Sequence, residues 1–168
     1  MNMKHLLWIE QCRPGQDLML CVKAEGFQLN HAANLSAVLN SCSLHQPDIV
    51  VMAAELAEMR TKDLMVLLKK QHPSCQIIVL VEKDQHAVAA ESLNYGAIDY
   101  LLKPFSYAEL ERRIGRAFQV KRALKYAYQM IAEENYPEAI QACDVALDQH
   151  PLHHAYINRL KGELLVKV

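Results

Sequence analysis

The first two thirds of the chain alternate short apolar runs with segments in which apolar side chains recur at helical spacing. Two of the runs, residues 49–52 (IVVM) and 77–81 (IIVLV), are continuously apolar, as in strands that are buried on both faces. Because a helical segment follows each strand, the pattern predicts an α/β fold with a doubly wound parallel sheet. Five strands are predicted, at residues 6–9, 27–30, 49–52, 77–81 and 98–102.

The helical segments carry start signals that can be read from single residues. Asn34, Thr61 and Asp84 stand before apolar-periodic runs and are predicted N-caps, since their side chains can accept a hydrogen bond from the first helical turn. Ser106 is followed three residues later by Glu109, which is the spacing of a capping box. Helices are predicted at residues 16–24, 34–44, 61–71, 84–95 and from 106 onward.

A small set of residues stands at the carboxyl ends of the predicted strands, the edge at which sheets of this kind bind ligands. Glu10 and Gln11 follow the first strand, Ala53 the third and Lys103 the fifth, while Val81 ends the fourth. We call these five residues the strand-end site. Glu10 and Lys103 carry opposite charges, so we expect them to form an ion pair inside a partly buried pocket.

Residues 99–105 (DYLLKPF), preceded by Tyr95 and Gly96, resemble the end of a response-regulator receiver domain. The resemblance covers residues 4–118. It implies the flavodoxin-like receiver fold, with strand order 2-1-3-4-5, and a cis junction between Lys103 and Pro104. It also implies a bacterial, cytosolic signalling role of the two-component type.

Three positions that carry phosphorylation chemistry in that family are altered here. The family's phosphate-accepting Asp corresponds to Ala53, the second residue of its Mg²⁺-binding acidic pair to Gln11, and its hydroxyl residue to Val81. A methyl group cannot accept a phosphoryl group, and one remaining carboxylate is a poor Mg²⁺ site because that ion wants several oxygen ligands. The resemblance therefore implies a degenerate receiver, a pseudo-receiver, for which we expect no enzymatic activity, no cofactor and no metal.

Two residues near the site leave alternatives open. Tyr100 corresponds to the family's switch-like aromatic, whose movement follows the hydroxyl residue, and Val81 puts that coupling in doubt. Glu55, in the loop after the third strand, and Asp48, at that strand's start, are the candidates for an unorthodox phosphate acceptor. Neither stands at the acceptor position, and positioning is nearly all that phosphoryl transfer relies on.

The composition changes near residue 118, after which only helix signals remain. Ala139, Ala146 and Pro151 are spaced as in the tetratricopeptide repeat (TPR), which is about 34 residues long. We therefore predict a receiver-like domain at 1–118 and TPR-like helices at 119–168. Because about three repeats are needed for stability, these helices are expected to begin a longer array or to pack on another surface. A helical hairpin unrelated to the repeat is the alternative.

The TPR-like interpretation predicts which faces of the helices are buried. Lys121, Tyr128 and Asn158 would line the concave side, where such repeats hold a peptide. An apolar face on the first helix would be covered by the second helix and then by the third. The residues of the three faces are Leu124, Ala127, Tyr128 and Ile131, then Ile140, Cys143 and Leu147, then Ile157, Leu160 and Leu164.

The net charge limits the classes of partner that we expect, and the cysteine pattern indicates the compartment. The net charge of −1 argues against bulk capture by nucleic acid or by an anionic membrane, so we expect neither as a partner. A basic stretch between Arg112 and Lys125 leaves a nucleic-acid-binding regulator open as an alternative. The five Cys are scattered without a C-x-x-C pair, which fits reduced thiols in the cytoplasm.

The expected function is that of an interaction module. In the receiver family the fourth helix, fifth strand and fifth helix form the usual dimer contact, so the resemblance implies that this face meets a second copy or a signalling protein. We expect a homodimer.

Overall fold

The computed structural model describes residues 3–168. Its centre is a five-stranded, all-parallel sheet in the order β2-β1-β3-β4-β5. This order and the helices on both sides of the sheet confirm the predicted doubly wound, flavodoxin-like receiver fold. The strands are β1 Lys4–Ile9, β2 Phe27–Ala32, β3 Ile49–Ala53, β4 Gln76–Val81 and β5 Asp99–Leu102.

Eight α-helices lie in the part of the chain that the structure describes. One helix follows each strand, and three more follow at the C-terminal end. The helices are α1 Gln16–Ala24, α2 Leu35–Leu44, α3 Thr61–Gln71, α4 His86–Asn94, α5 Tyr107–Ala123, α6 Lys125–Ala132, α7 Tyr136–Gln149 and α8 His154–Leu165, with a 3₁₀ turn at Pro151–His153.

Two of the four predicted N-caps make their hydrogen bonds. The Asn34 side chain accepts from the backbone N–H of Ala37 at 2.8 Å, and the Ser106 hydroxyl accepts from the N–H of Glu109 at 3.1 Å. These bonds fix the starts of α2 and α5.

Thr61 and Asp84 are not the caps that the sequence predicted. Thr61 is already the first residue of α3, and its hydroxyl donates to the carbonyl of Ala54 at 2.5 Å, which ties the helix back to the end of β3. Gln85 occupies the N-cap position of α4, and its side chain accepts from the N–H of Glu82 at 3.0 Å.

The sheet is buried on both faces. All six residues of β4 are buried, as are the last four of β1. Helices α2, α3 and α4 cover one face, where Val38, Leu64 and Ala89 pack with inward residues of the central strands. Helices α1 and α5 are joined by a hydrogen bond of 3.0 Å from the thiol of Cys21 to the carboxylate of Glu111. Strands β1, β3 and β4, whose ends carry predicted site residues, are therefore largely buried in the core.

The chain divides into two compact units, with the boundary between Ala117 and Phe118, inside α5. In the second unit α7 contacts both α6 and α8. The buried line of α7 consists of Ala139, Cys143 and Ala146. The predicted Ile140 and Leu147 are only partly buried. The small side chains, spaced at i, i+4 and i+7, let neighbouring helices approach closely.

None of the helices within residues 3–168 is long and apolar enough to cross a lipid bilayer.

Candidate functional site

The parallel register brings the strand-end site to one edge of the sheet. Ala53 is the last residue of β3 and lies beside Leu80 of β4, while Val81, the last residue of β4, lies beside Leu102 of β5. Glu10 and Gln11 directly follow β1, and Lys103 directly follows β5. The bond between Lys103 and Pro104 is cis.

Glu10 and Lys103 form an ion pair at this edge, between Glu10 Oε1 and Lys103 Nζ. The other carboxylate oxygen of Glu10 accepts a hydrogen bond from Trp8 Nε1 at 3.0 Å. The side chains of Glu10 and Lys103 are 19% and 30% exposed, so the pair is partly shielded from water. Lys103 also lies 3.8 Å from the carboxylate of Glu82, which leaves its charge compensated by two acidic groups.

The residues at this edge do not fit a magnesium ion. Both oxygens of Glu10 are engaged within the protein, Ala53 offers no ligand atom, and Gln11 is an exposed amide. Among residues 3–168, no group of three or more His, Cys, Asp or Glu side chains is arranged to hold a metal. Mg²⁺ prefers oxygen ligands in near-octahedral geometry, which this donor set does not supply.

Val81 and Tyr100 occupy the positions of the family's hydroxyl residue and its switch-like aromatic. Val81 is fully buried, so the hydroxyl position of the family is occupied by an apolar core residue. Tyr100 is half-buried and packs against the core on the face of the sheet that α2, α3 and α4 cover.

The structure adds an electrostatic network that the sequence analysis missed. Arg113 Nη1 of α5 lies 2.6 Å from Asp99 Oδ1 and donates to the carbonyl of Tyr100 at 3.2 Å, while Nη2 lies 3.4 Å from Glu109 Oε1. Burial alone would lower the pKa of Arg113, but Asp99 and Glu109 outweigh it and raise the pKa. Only the i, i+4 spacing of Glu109 and Arg113 signals the network in the sequence. Arg113 is therefore a structural cation, although the sequence placed it in the basic stretch.

Neither candidate for an unorthodox acceptor stands at the end of β3. Asp48 precedes β3, and its Oδ2 accepts from the N–H of His5 at 2.7 Å, at the opposite end of the sheet. Glu55 is exposed in the loop after β3 and accepts from Gln85 Nε2 at 2.7 Å.

The three residues that were predicted to line the concave side of the second unit differ in how exposed they are. Asn158 is exposed on α8 and Lys121 is half-buried in α5. Tyr128 is only 8% exposed, and its hydroxyl lies 2.7 Å from that of Tyr156. Tyr128 therefore does not offer its ring to a partner as predicted, because it packs inside the helical unit and joins α6 to α8.

Comparison with known proteins identifies the sheet-containing part of the chain. The family model of the response regulator receiver domain matches residues 16–115. The DNA-binding transcriptional regulator NtrC of Proteus hauseri is 29% identical over 118 residues, which are 70% of this chain and 23% of NtrC. The transcriptional regulatory protein LytR of Staphylococcus aureus (strain MW2) is 28% identical over 124 residues, 73% of this chain and 50% of LytR. The chain thus spans half or less of these relatives.

Among solved structures, a response regulator receiver domain protein from Clostridium thermocellum superposes with a TM-score of 0.62 at 20% identity. The superposition covers 71% of this chain and 97% of that structure. At this identity the likeness concerns the fold.

The relatives correct one expectation drawn from composition. The net charge of −1 had excluded nucleic acid as a partner, yet the relatives include a protein named as a DNA-binding transcriptional regulator. The exclusion was wrong because net charge describes the whole surface of a chain, whereas DNA binding depends on a local basic patch.

Proposed function

Because this chain belongs to the response regulator receiver family, we propose that it is a pseudo-receiver, a cytoplasmic, non-enzymatic interaction module of two-component signalling that works without phosphorylation. The observation that carries the proposal is the end of β3, where Ala53 places a methyl group at the acceptor position. Lys103, the family's phosphate-contacting residue, is already paired with Glu10.

Two further features support the proposal. The buried Val81 has no hydroxyl that could respond to a phosphoryl group, so the usual link from phosphorylation to Tyr100 is missing. Transfer to a more distant carboxylate would lose the positioning on which phosphoryl transfer depends.

The proposed contact surface is the face formed by α4, β5 and α5. Leu93 of α4 and Tyr107 of α5 are exposed apolar side chains, and the Arg113–Asp99 ion pair links α5 to β5. A mixture of apolar and charged groups suits a contact with another protein, because aromatic side chains supply buried area and charged side chains set the register of the two partners. We propose a homodimer through this face.

The second unit is proposed to be a TPR-like partner-binding region. Its three helices pack in sequence, α6 on α7 and α7 on α8, and the small buried residues of α7 suit the close helix packing of such repeats. The exposed Asn158 is a candidate contact for a partner.

Sedimentation velocity of the full chain tests the proposed assembly. The chain should sediment as a dimer, equally with and without Mg²⁺ and beryllofluoride, a phosphoryl mimic. Tyr107→Asp should shift it to monomer because the substitution places a charge on the contact face. Leu44→Asp, at an exposed apolar side chain that ends α2, is the matched control and should leave the dimer intact. A monomeric wild type, or a dimer that forms only with beryllofluoride, contradicts the proposal.

DNA binding is a second candidate function, and the name of one relative, the DNA-binding transcriptional regulator NtrC, favours it. Titration with duplex DNA at several salt concentrations tests it, since phosphate contacts make affinity fall steeply with salt. Salt-dependent binding that remains after Tyr107→Asp would assign the chain a DNA contact in addition to the protein contact.

A further inference from the structure

A cavity of about 270 Å³ lies beside the strand-end site, on the side toward β2. Residues after three strands line it: Gln11 after β1, Asn34 after β2, and the loop between β3 and α3. The strand order reverses between β1 and β3, and the crevice at such a switch point is where open α/β sheets hold ligands. Of the strand-end site, Gln11 belongs to the lining of this cavity, whereas the paired Glu10 and Lys103 do not.

The cavity has an apolar floor. Ile9, Val38 and Leu64 form part of it and are almost fully buried, and Leu56 and Met59 add half-buried apolar side chains from the β3–α3 loop. Pockets for drug-sized ligands usually measure about 300–1,000 Å³. The smaller volume here suits an apolar body of one ring or a short alkyl chain.

All the charge on the lining is negative. Glu55 and Glu58 belong to the lining, and its members among residues 3–168 include no Lys, Arg or His. Each carboxylate makes one hydrogen bond within the protein: Glu58 Oε2 accepts from the N–H of Leu35 at 3.2 Å, and Glu55 Oε1 accepts from Gln85 at 2.7 Å. Both side chains are exposed to solvent, and each carboxylate keeps acceptor capacity because its two oxygens offer about four lone-pair sites.

We propose that this cavity, which we call the acidic cavity, binds a small organic cation, an ammonium group attached to an apolar body. The ammonium would lie at Glu55 and Glu58, and the apolar body would cover Val38, Leu64 and Met59. Because the charge on the lining is negative, organic anions of the same size, including phosphate esters, should bind more weakly. The proposal does not depend on whether the chain is phosphorylated.

Three probes that share one phenyl body test the proposal on the full chain: 2-phenylethylamine, which is cationic, 2-phenylethanol, which is neutral, and 3-phenylpropanoate, which is anionic. Isothermal titration gives each affinity, and amide chemical shifts from ¹⁵N-labelled protein give the location. The amine should bind saturably, at least about tenfold more tightly than the other two probes. Its shift changes should lie at Asn34, Leu35 and residues 55–59.

The variant E55Q/E58Q should weaken the amine at least about tenfold and leave 2-phenylethanol unchanged. The control D17N/E133Q removes the same formal charge at two exposed positions outside the cavity and should bind the amine like the wild type. A33L, at an exposed position of the lining, should block both the amine and the alcohol by filling the cavity. Circular dichroism confirms that each variant is folded.

Three results would overturn the proposal: no saturable amine binding, equal affinity for 3-phenylpropanoate, or shift changes that lie away from the cavity. Equal weakening by the control pair would overturn it as well, because the effect would then come from net charge.

Discussion

Removal of the Lys103 ammonium should destabilise the first unit mainly through the carboxylate that it leaves behind. In Lys103→Met, Glu10 keeps its hydrogen bond from Trp8 but loses its ion pair in a site where it is only 19% exposed. In Glu10→Gln the amide oxygen can still accept from Trp8, and no carboxylate is left that Lys103→Met could deprive of its partner. The Lys103→Met substitution should therefore cost less in the Glu10→Gln background than alone.

The size of the effect follows from the partial exposure of the pair. Breaking a fully buried ion pair by removing one partner costs about 3–5 kcal/mol, and exposed pairs contribute about 0.2–1 kcal/mol. At 19% and 30% exposure this pair lies between these limits. We expect Lys103→Met to cost about 2 kcal/mol alone and about 0.5 kcal/mol beside Glu10→Gln, a coupling of about 1.5 kcal/mol.

Urea unfolding followed by tryptophan fluorescence measures this coupling. Trp8 is the only Trp of the chain and lies in β1, so its signal reports the first unit and not the C-terminal helices. With a urea dependence of about 1–3 kcal/mol per molar, Lys103→Met should lower the midpoint by about 1 M. Far-ultraviolet circular dichroism is recorded in parallel, because Glu10 touches the indole and can change its fluorescence.

An exposed pair in the same unit gives the control. Arg112 is 58% exposed and lies 4.0 Å from Glu109, so Arg112→Met should cost less than about 0.5 kcal/mol. Strictly additive losses for Lys103→Met and Glu10→Gln would refute the coupling. A cost for Arg112→Met as large as that for Lys103→Met would show that the partial burial of the pair is irrelevant.

Three further predictions follow from ionisable groups. Asp99→Asn removes the main charge partner of Arg113 and should destabilise the first unit by about 2 kcal/mol in urea unfolding; an unchanged midpoint would show that the contact is energetically neutral. Burial and then the hydrogen bond to Glu111 raise the pKa of Cys21 to about 11. Glu111→Gln should lower that pKa and speed alkylation of Cys21 by iodoacetamide, measured by peptide mass; an equal or slower rate contradicts this assignment. Burial lowers the pKa of His72 in the folded chain below its usual 6.5. As the pH drops, His72 is therefore protonated in the unfolded chain before it is protonated in the folded chain. The free energy of unfolding falls between about pH 6.5 and the folded pKa. His72→Gln should flatten this fall in urea midpoints between about pH 7 and pH 5, and an unchanged slope would assign the fall to other groups.

The sheet could be predicted because its central strands are continuous apolar runs. β3 and β4 are buried at almost every residue and are rich in Val and Ile, whereas the apolar runs at 18–22 in α1 and 64–68 in α3 consist mostly of Leu and Met and are only partly buried. The edge strand β2 was predicted to end at Asn30, two residues too early, because His31 is polar. His31 and Ala32 belong to β2 because they pair with Trp8 and Ile9 of β1, and an edge strand can turn a polar side chain toward water.

Helix starts were predictable only where a side chain caps its own helix. Asn34 does so at α2, and its role could be read from the sequence. Near α3 and α4 the polar side chains bond across loops, as Thr61 does with Ala54, and those partners depend on the folded path of the chain. Tyr128 was predicted both on the covered apolar face of the first helix and on the concave side; the structure buries it, and its hydroxyl partner Tyr156, two helices away, could not be read from the sequence.

Part of the candidate site could be predicted from the sequence, and part could not. The strand-end positions were predictable because parallel strands end at one edge, which places Glu10 and Lys103 together although they are 93 residues apart. The acidic cavity was not predictable, since its wall is the irregular loop between β3 and α3. Periodicity says nothing about how such a loop folds.

The central claim is that this receiver works without phosphorylation, and intact mass measurement after incubation with acetyl phosphate and Mg²⁺ tests it most directly. The wild type should keep its mass. Ala53→Asp alone should show little phosphorylated protein, because Gln11 remains unsuited to Mg²⁺ and Val81 to the phosphoryl group. The triple variant A53D/Q11D/V81T is the control and should gain the mass of one phosphoryl group. A gain of one phosphoryl group by the wild type, lost when a single carboxylate such as Glu55 or Glu10 is changed to its amide, would contradict the claim.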